Sequence, residues 1–132
     1  MAAAIYPKFK EQALQGGTDL SGGNIKLVLV DTGAYTYSSS HQYLSDIAAG
    51  ARIATSGNLA SKTFTNGTFD AADVSISSVS GATVEAVVYY IDSGAAATSK
   101  LIFYDDTLTG LAFTPNGGTV NITFNASGIF TL

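Results

Sequence analysis

The sequence predicts an all-β protein: a β-sandwich of about nine short strands with a short N-terminal helix. Glycine occurs 14 times and tends to separate short apolar runs, which is the spacing of strands joined by turns. Some runs alternate with polar residues and others are apolar throughout, as expected for half-buried and central strands. A closed barrel fits this spacing too, but the mixture of strand types favours a sandwich, either immunoglobulin-like or jelly-roll-like. We expect residues 1–132 to form a single domain.

The N-terminal part contains the one predicted helix. Pro7 suits a first helical turn, apolar side chains from Phe9 to Leu14 share one face, and Gly16-Gly17 ends the segment. A helix of about two turns is unstable alone, so it must dock on its own sandwich or on a neighbouring molecule. We therefore expect a helix and a glycine-rich arm over residues 1–23.

Strands are predicted for the rest of the chain. Asn66-Gly67 is a strong signal for a two-residue hairpin turn. Tyr89 and Tyr90 are adjacent and must face opposite sides of their strand, so at most one ring is expected in the core. The predicted strands are Ile25–Asp31, Arg52–Ser56, Lys62–Thr65, Thr68–Asp70, Val74–Ser78, Val84–Asp92, Lys100–Asp106, Thr119–Asn125 and Ile129–Leu132.

Residues 32–50 form a long polar connection that is rich in tyrosine and serine, with one helical turn expected at Tyr43–Ile47. Connections longer than about 12–15 residues are often functional, and tyrosine is enriched at interfaces. The same tyrosines can instead fold the loop onto the sandwich, so both interpretations stay open. The predicted partner-contact residues are Tyr6, Phe9, Tyr35, Tyr37, His41 and Tyr43.

Composition excludes several classes of function. Without cysteine there is no disulfide framework, thiolate zinc site or thiol nucleophile. The net charge of −4 speaks against a nucleic-acid partner, because it repels phosphate. We also expect no secretion signal and no membrane association, since the sequence shows no basic leader and no apolar run of about 20 residues.

We predict no catalytic residues, no cofactor and no metal site, and hence a protein that is not an enzyme. Ser40, His41 and Asp46 supply the residue types of a catalytic triad, but no nucleophile elbow accompanies them. A single histidine cannot build a transition-metal site. The nearest carboxylate sets lack the spacing of a calcium loop and are typical of turns and strand ends: Asp70 with Asp73, and Asp105 with Asp106.

Several segments, distributed along nearly the whole chain, resemble small virion proteins of tailed bacteriophages, in particular the capsid decoration (cement) type. They are Ala4–Glu11 with Asn24–Asp31, Tyr35–Ile47 with Gly50–Arg52, and Thr114–Gly118. The resemblance implies a structural component of the virion and brings no catalytic residues with it. Head–tail adaptor, tail and fibre proteins are alternatives within the same class.

An acidic surface with few charges favours the decoration role, because it suits a capsid exterior and its net negative charge does not attract packaged DNA. The expected partners are the major capsid protein and further copies of the chain, in a homo-oligomer or on the capsid lattice, after synthesis in the host cytoplasm. The N-terminal segment and the 32–50 loop are the expected contacts. A carbohydrate-binding module that holds sugar through exposed tyrosines is the alternative from another class.

Overall fold

The computed structural model describes residues 3–132, so the first two positions of the predicted 1–23 arm lie outside the described residues. Within residues 3–132, 3₁₀ turns occupy Leu44–Asp46, Ala49–Ala51 and Thr65–Gly67. The regular elements are β1 (Ala4–Ile5), α1 (Pro7–Leu14), β2 (Ile25–Val30), β3 (Arg52–Thr55), β4 (Thr68–Phe69), β5 (Val74–Ile76), β6 (Ala86–Ile91), β7 (Lys100–Asp105), β8 (Val120–Ile122) and β9 (Phe130–Thr131).

The main layer is a five-stranded antiparallel sheet in the order β1-β7-β6-β2-β3. The three inner strands β7, β6 and β2 are the ones whose sequences are apolar on both faces, and nearly all of their residues are buried. Strands of this composition need cover on both sides. The prediction that they lie at the centre of a sheet is confirmed.

The second layer is an interrupted antiparallel ribbon. β4 pairs with β9 and β5 pairs with β8, with residues 70–73 and 123–129 breaking the ladder between the two pairs. At the break, the Asp73 carboxylate takes the place of a strand neighbour by accepting a hydrogen bond from the Phe124 backbone N–H at 2.9 Å. Gly128 has φ +106°, and a Cβ there would collide with the Thr68 methyl group on β4.

Both faces of the main sheet are covered. On the inner face, the rings of Tyr89 and Phe103 contact Phe124 and Phe130 of the ribbon, with centroid separations of 6.1 and 5.0 Å. On the outer face, Tyr104 contacts the rings of the 32–50 loop. This arrangement confirms the predicted all-β, sandwich-like fold.

Tyr89 and Tyr90 are both buried, at 0% and 3% exposure. The expectation that only one of these rings lies in the core is therefore wrong. It assumed that one face of the strand is wet, whereas β6 lies at the centre of a sheet that is covered on both faces. Alternation places the two rings on opposite faces, but it does not decide whether either face meets water.

Helix α1 docks on the chain's own sandwich. Proline occupies its first turn, Phe9 is buried against Phe130 in an edge-to-face contact, and Gly16 follows the helix with φ +71°. Leu14, in contrast, is 89% exposed, so the predicted apolar face is only partly correct. At 3.6 residues per turn, five residues separate Leu14 from Phe9 by about 140° around the helix axis, which turns Leu14 away from the sheet.

Two other predictions require correction. Lys62–Thr65 does not form a strand; only Thr63 pairs with Asp70, through backbone hydrogen bonds of 2.9 and 3.0 Å. Asn66-Gly67 does form the predicted turn, with both φ values positive, but β4 then pairs with β9 along its length. Strand β1 was missed because two residues carry no periodicity, and the structure defines them by their pairing with β7.

Candidate interaction surface

The predicted partner-contact residues separate into two groups. Tyr6, Phe9 and Tyr35 are buried at 0%, 4% and 4% exposure, so their side chains belong to the chain's own core and present no surface to a partner. Tyr37, His41 and Tyr43 are partly exposed. For the buried group the structure favours the interpretation that the aromatic side chains hold the N-terminal segment and the loop on the sheet.

A chain of hydroxyl hydrogen bonds joins the N-terminal segment to the 32–50 loop. The Tyr6 hydroxyl lies 2.8 Å from the Tyr35 hydroxyl, which in turn lies 2.8 Å from His41 Nδ1. Tyr6 is fully buried, so its hydroxyl depends on Tyr35 for a partner. We call Tyr6, Tyr35, Tyr37, Tyr104 and His41 the tyrosine cluster.

Ring contacts complete the tyrosine cluster. Tyr37 packs against Tyr6 and Tyr104, with centroid separations of 5.1 and 5.4 Å. Burial raises the pKa of Tyr35 to about 12, and it raises the pKa of Tyr6 further because that hydroxyl is more deeply enclosed. The phenol groups of Tyr6 and Tyr35 are therefore neutral at physiological pH, and their hydroxyls are paired with each other inside the cluster.

Backbone hydrogen bonds fix the 32–50 loop beside the edge of β7. Leu44 N–H donates to the Ser99 carbonyl at 2.8 Å, and Leu101 N–H donates to the Gln42 carbonyl at 2.9 Å. Between them, Tyr43 forms an isolated antiparallel bridge with Lys100. The loop and β1 thus pair with the same edge of β7, the loop at residues 99–101 and β1 at residues 103–104.

Asp46 closes the 3₁₀ turn Leu44–Asp46, which lies where the sequence predicts one helical turn, at Tyr43–Ile47. Its Oδ2 atom accepts hydrogen bonds from the backbone N–H groups of Gln42 and Tyr43 at 2.8 and 2.9 Å. Burial alone would raise the pKa of Asp46, but these two hydrogen bonds, together with the nearby His41, lower it overall. Asp46 is therefore a structural cap of the loop.

The three residue types of a catalytic triad are present in this loop but bond to different groups. Ser40 Oγ pairs with Ser38 Oγ at 2.9 Å, His41 Nδ1 pairs with Tyr35, and Asp46 caps the turn. A triad needs the base to bond both the nucleophile and the acid. The geometry assigns these side chains to folding of the loop.

The N-terminal segment and the loop, which the sequence singled out separately, meet at the β7 edge. Lys100 Nζ donates to Gln12 Oε1 of α1 at 3.2 Å, and Lys100 is the residue that Tyr43 bridges. Two residues of α1, Phe9 and Ala13, also line an apolar groove of about 250 Å³. Its lining includes Phe9, Ala13, Leu20, Phe64, Phe69, Phe130 and Leu132.

Two large apolar side chains that line this groove are exposed, Leu132 at 63% and Phe64 at 38%. Leu14, which follows the lining residue Ala13 in α1, is 89% exposed. We call α1, Tyr43, Phe64 and Leu132 together the α1 surface. Sequence reasoning missed Phe64 and Leu132, because nothing in their local pattern distinguishes an exposed apolar residue from a buried one. Exposed apolar groups that lie near each other are typical of interaction sites.

A second concavity, of about 450 Å³, lies beside the tyrosine cluster. Tyr37 and Tyr104 form one side of it, and the carboxylates of Glu85 and Asp106 line it as well. These two carboxylates contribute to raising the pKa of Tyr104, after burial, which is the larger cause. The other lining residues of this cleft are Thr32, Tyr35, Thr36, Leu111 and Ala112.

The carboxylates that were considered as cation ligands have local structural roles. Asp70 Oδ1 accepts from the Ala71 backbone N–H at 2.8 Å, and Asp73 holds the ribbon break at Phe124. Among residues 3–132, no group of three or more His, Cys, Asp or Glu side chains is arranged to hold a metal ion. Within the same range, no helix has the length and hydropathy needed to cross a bilayer.

Comparison with known proteins assigns no family to the chain. A scan against protein-family models and a search of curated proteins each returned no match. The resemblance to phage virion proteins therefore stays a prediction from the sequence.

Proposed function

We propose that the chain is a structural protein of a tailed-bacteriophage virion: a decoration protein that binds the outer capsid shell and stabilises it. The observation that carries this proposal is the α1 surface, where the two segments expected to contact the capsid lie side by side. This surface exposes Leu14 and Leu132, side chains that gain free energy when a partner removes them from water.

The charge of the chain supports a place outside the capsid. A net charge of −4, with only 12% charged residues, gives little attraction to packaged DNA. Polar groups on the ribbon are mainly uncharged Ser, Thr and Asn, such as Ser75 and Asn121, which bond to each other at 2.6 Å. Surfaces of this kind tolerate close packing of many copies without strong mutual repulsion.

Stabilisation of a shell then follows from mass action. A ligand that binds the assembled state and not the dissociated state stabilises assembly in proportion to its binding free energy. A specific interface buries roughly 1,200–2,000 Å² in total. Repetition over a lattice adds avidity, so each copy of the chain needs only a modest interface.

The test uses purified full-length chain and expanded capsids that were assembled without it. We expect the chain to co-sediment with these capsids and to raise the temperature at which they disrupt. The variant Leu14→Lys places a charge at the exposed tip of the α1 surface and should weaken binding by about tenfold or more, the effect of burying an unpaired charge at an interface.

Ser80→Lys is the matched control. Ser80 is exposed and precedes Gly81, which lies beside Ile53 of β3 at the opposite edge of the main sheet. The variant Ser80→Lys introduces the same positive charge as Leu14→Lys and should leave capsid binding unchanged. Absence of binding to expanded capsids would contradict the decoration role, and labelling of the chain at the neck or tail of intact particles would favour a head–tail adaptor, tail or fibre component.

A further inference from the structure

A broad concavity lies between the end of β7 and the outer edge of the ribbon. Its volume is about 750 Å³, within the roughly 300–1,000 Å³ of small-molecule sites. We call it the Tyr89 cavity. Its polar lining includes Asp105, Asn121 and Asn125, and its apolar lining includes Tyr89, Phe124 and Phe130.

The Tyr89 hydroxyl is a polar group that the fold itself does not use. Tyr89 is 0% exposed, and its hydroxyl has no hydrogen-bond partner among the described residues. Its ring packs against Phe103 and Phe124, in a layer where phenylalanine is the usual aromatic residue. A phenylalanine would make the same ring contacts without leaving a buried hydroxyl unpaired, an arrangement that destabilises the folded state.

An acceptor lies near this hydroxyl. Asp105 shares the inner face with Tyr89, because Val87 pairs with Asp105 and Tyr89 pairs with Phe103. Burial raises the pKa of Tyr89, and the charge of Asp105 adds to the effect. Asp105 Oδ1 accepts from the backbone N–H and the hydroxyl of Thr107 at 2.8 and 2.6 Å, whereas Oδ2 accepts no hydrogen bond from the described residues.

We propose that the Tyr89 cavity is a binding site for a neutral saccharide, held between the Tyr89 hydroxyl, Asp105 Oδ2 and the hydroxyl and amide side chains of the ribbon edge. A sugar hydroxyl both donates and accepts, so it can donate to Asp105 Oδ2 and, where the Tyr89 ring shifts enough to expose its buried hydroxyl, accept from Tyr89. The side chains of Asn121 and Asn125 offer further donors and acceptors at the rim, and Phe124 and Phe130 supply apolar surface for the ring carbons.

The lining selects against charged ligands. No lysine or arginine is among the lining residues, and the Asp105 carboxylate repels an anion. A cation would find only one carboxylate in the lining, that of Asp105, and its Oδ1 atom already accepts two hydrogen bonds from Thr107. Most of the polar lining is neutral. The site does not depend on the decoration role, because it lies on different residues from the α1 surface.

The test exposes the full-length chain to an array of neutral glycans and then titrates the isotope-labelled chain with the best-bound glycan by NMR. We expect saturable shift changes at backbone amides of the cavity, centred on residues 121–131. Tyr89→Phe should weaken binding by about tenfold, the fold-change that corresponds to about 1.4 kcal/mol for one lost hydrogen bond. Asp105→Asn should weaken it as well, because the amide keeps the shape but loses the charge-assisted acceptor.

Tyr37→Phe is the matched control, because it removes a tyrosine hydroxyl outside the cavity and should leave glycan affinity unchanged. Tyr89→Phe must also be at least as stable as the parent protein, since it deletes an unpaired buried hydroxyl. The proposal is overturned if no glycan on the array binds. Shift changes at the tyrosine cluster in place of the cavity, or equal affinity of Tyr89→Phe and the parent, would overturn it too.

Discussion

Replacing Tyr35 with phenylalanine should remove the hydrogen bonds that link the 32–50 loop to the N-terminal segment, with little change in volume. The Tyr35 hydroxyl bonds both the Tyr6 hydroxyl and His41 Nδ1 at 2.8 Å. The ring contacts to Tyr104 and His41 do not involve the hydroxyl and remain available to phenylalanine. The Tyr35→Phe variant therefore isolates two hydrogen bonds.

The magnitude follows from the burial of Tyr6. Each lost hydrogen bond contributes about 0.5–1.5 kcal/mol to stability, and a buried group left without a partner costs about 1–3 kcal/mol. His41 is partly exposed and can bond to water, but Tyr6 is 0% exposed and cannot. We expect Tyr35→Phe to lower the free energy of unfolding by about 2 kcal/mol, with most of the loss arising at the Tyr6 hydroxyl.

Urea unfolding of the parent protein, Tyr35→Phe and Tyr37→Phe measures this effect. Tyr37 belongs to the same cluster, but its hydroxyl makes no hydrogen bond to the described residues, so its loss should change stability by less than about 0.5 kcal/mol. The double variant Tyr6→Phe with Tyr35→Phe should recover part of the loss, because no orphan hydroxyl remains. Equal stability of the two single variants would refute the hydroxyl chain as a stabilising element.

Three further outcomes follow from the same structure. Burial raises the pKa of Tyr35 to about 12, so this phenol ionises at a lower pH in the unfolded chain than in the folded protein. The free energy of unfolding should therefore be constant below about pH 10 and decrease as the pH rises toward 12. Urea midpoints and phenolate absorbance should change over the same pH range. Gly128→Ala should destabilise the protein by about 2 kcal/mol more than Gly110→Ala in thermal unfolding, because both positions need positive φ but only Gly128 adds a collision with β4. Asp46→Ala should speed hydrogen exchange at the Tyr43 amide and cost about 1 kcal/mol; slow exchange at that amide in the variant would show that Asp46 is not the cap.

The fold class could be predicted because hydrophobic periodicity and turn residues are local signals. Strands β2, β6 and β7 were evident from their apolar runs, and α1 from Pro7 and the glycines that follow it. Pairing over a distance was not accessible in the same way. β1 is a strand only because Ala4 and Ile5 meet β7, and Lys62–Thr65 is not a strand because β4 pairs instead with β9, far away in the sequence.

The candidate surface was predicted only in part, because tyrosine suits both a core and an interface. Its ring is apolar and its hydroxyl needs one partner, which water, a protein group or another molecule can supply. Tyr6 and Tyr35 satisfy that need within the chain, whereas Tyr37 and Tyr43 retain exposed surface. Leu14 shows the converse, since a residue assigned to the docking face became the most exposed large apolar side chain of the described residues.

The two faces of the main sheet are covered by different aromatic residues. Phenylalanine fills the inner face, where Phe103 and Phe124 need no polar partner. Tyrosine fills the outer face, where the hydroxyls of Tyr6 and Tyr35 bond to each other beneath the loop. Tyr89 breaks this division, since it places a hydroxyl in the phenylalanine layer and leaves it unpaired beside Asp105. Because Tyr89→Phe removes only that hydroxyl, a variant that gains stability but loses glycan affinity would show that the residue is retained for binding and not for folding.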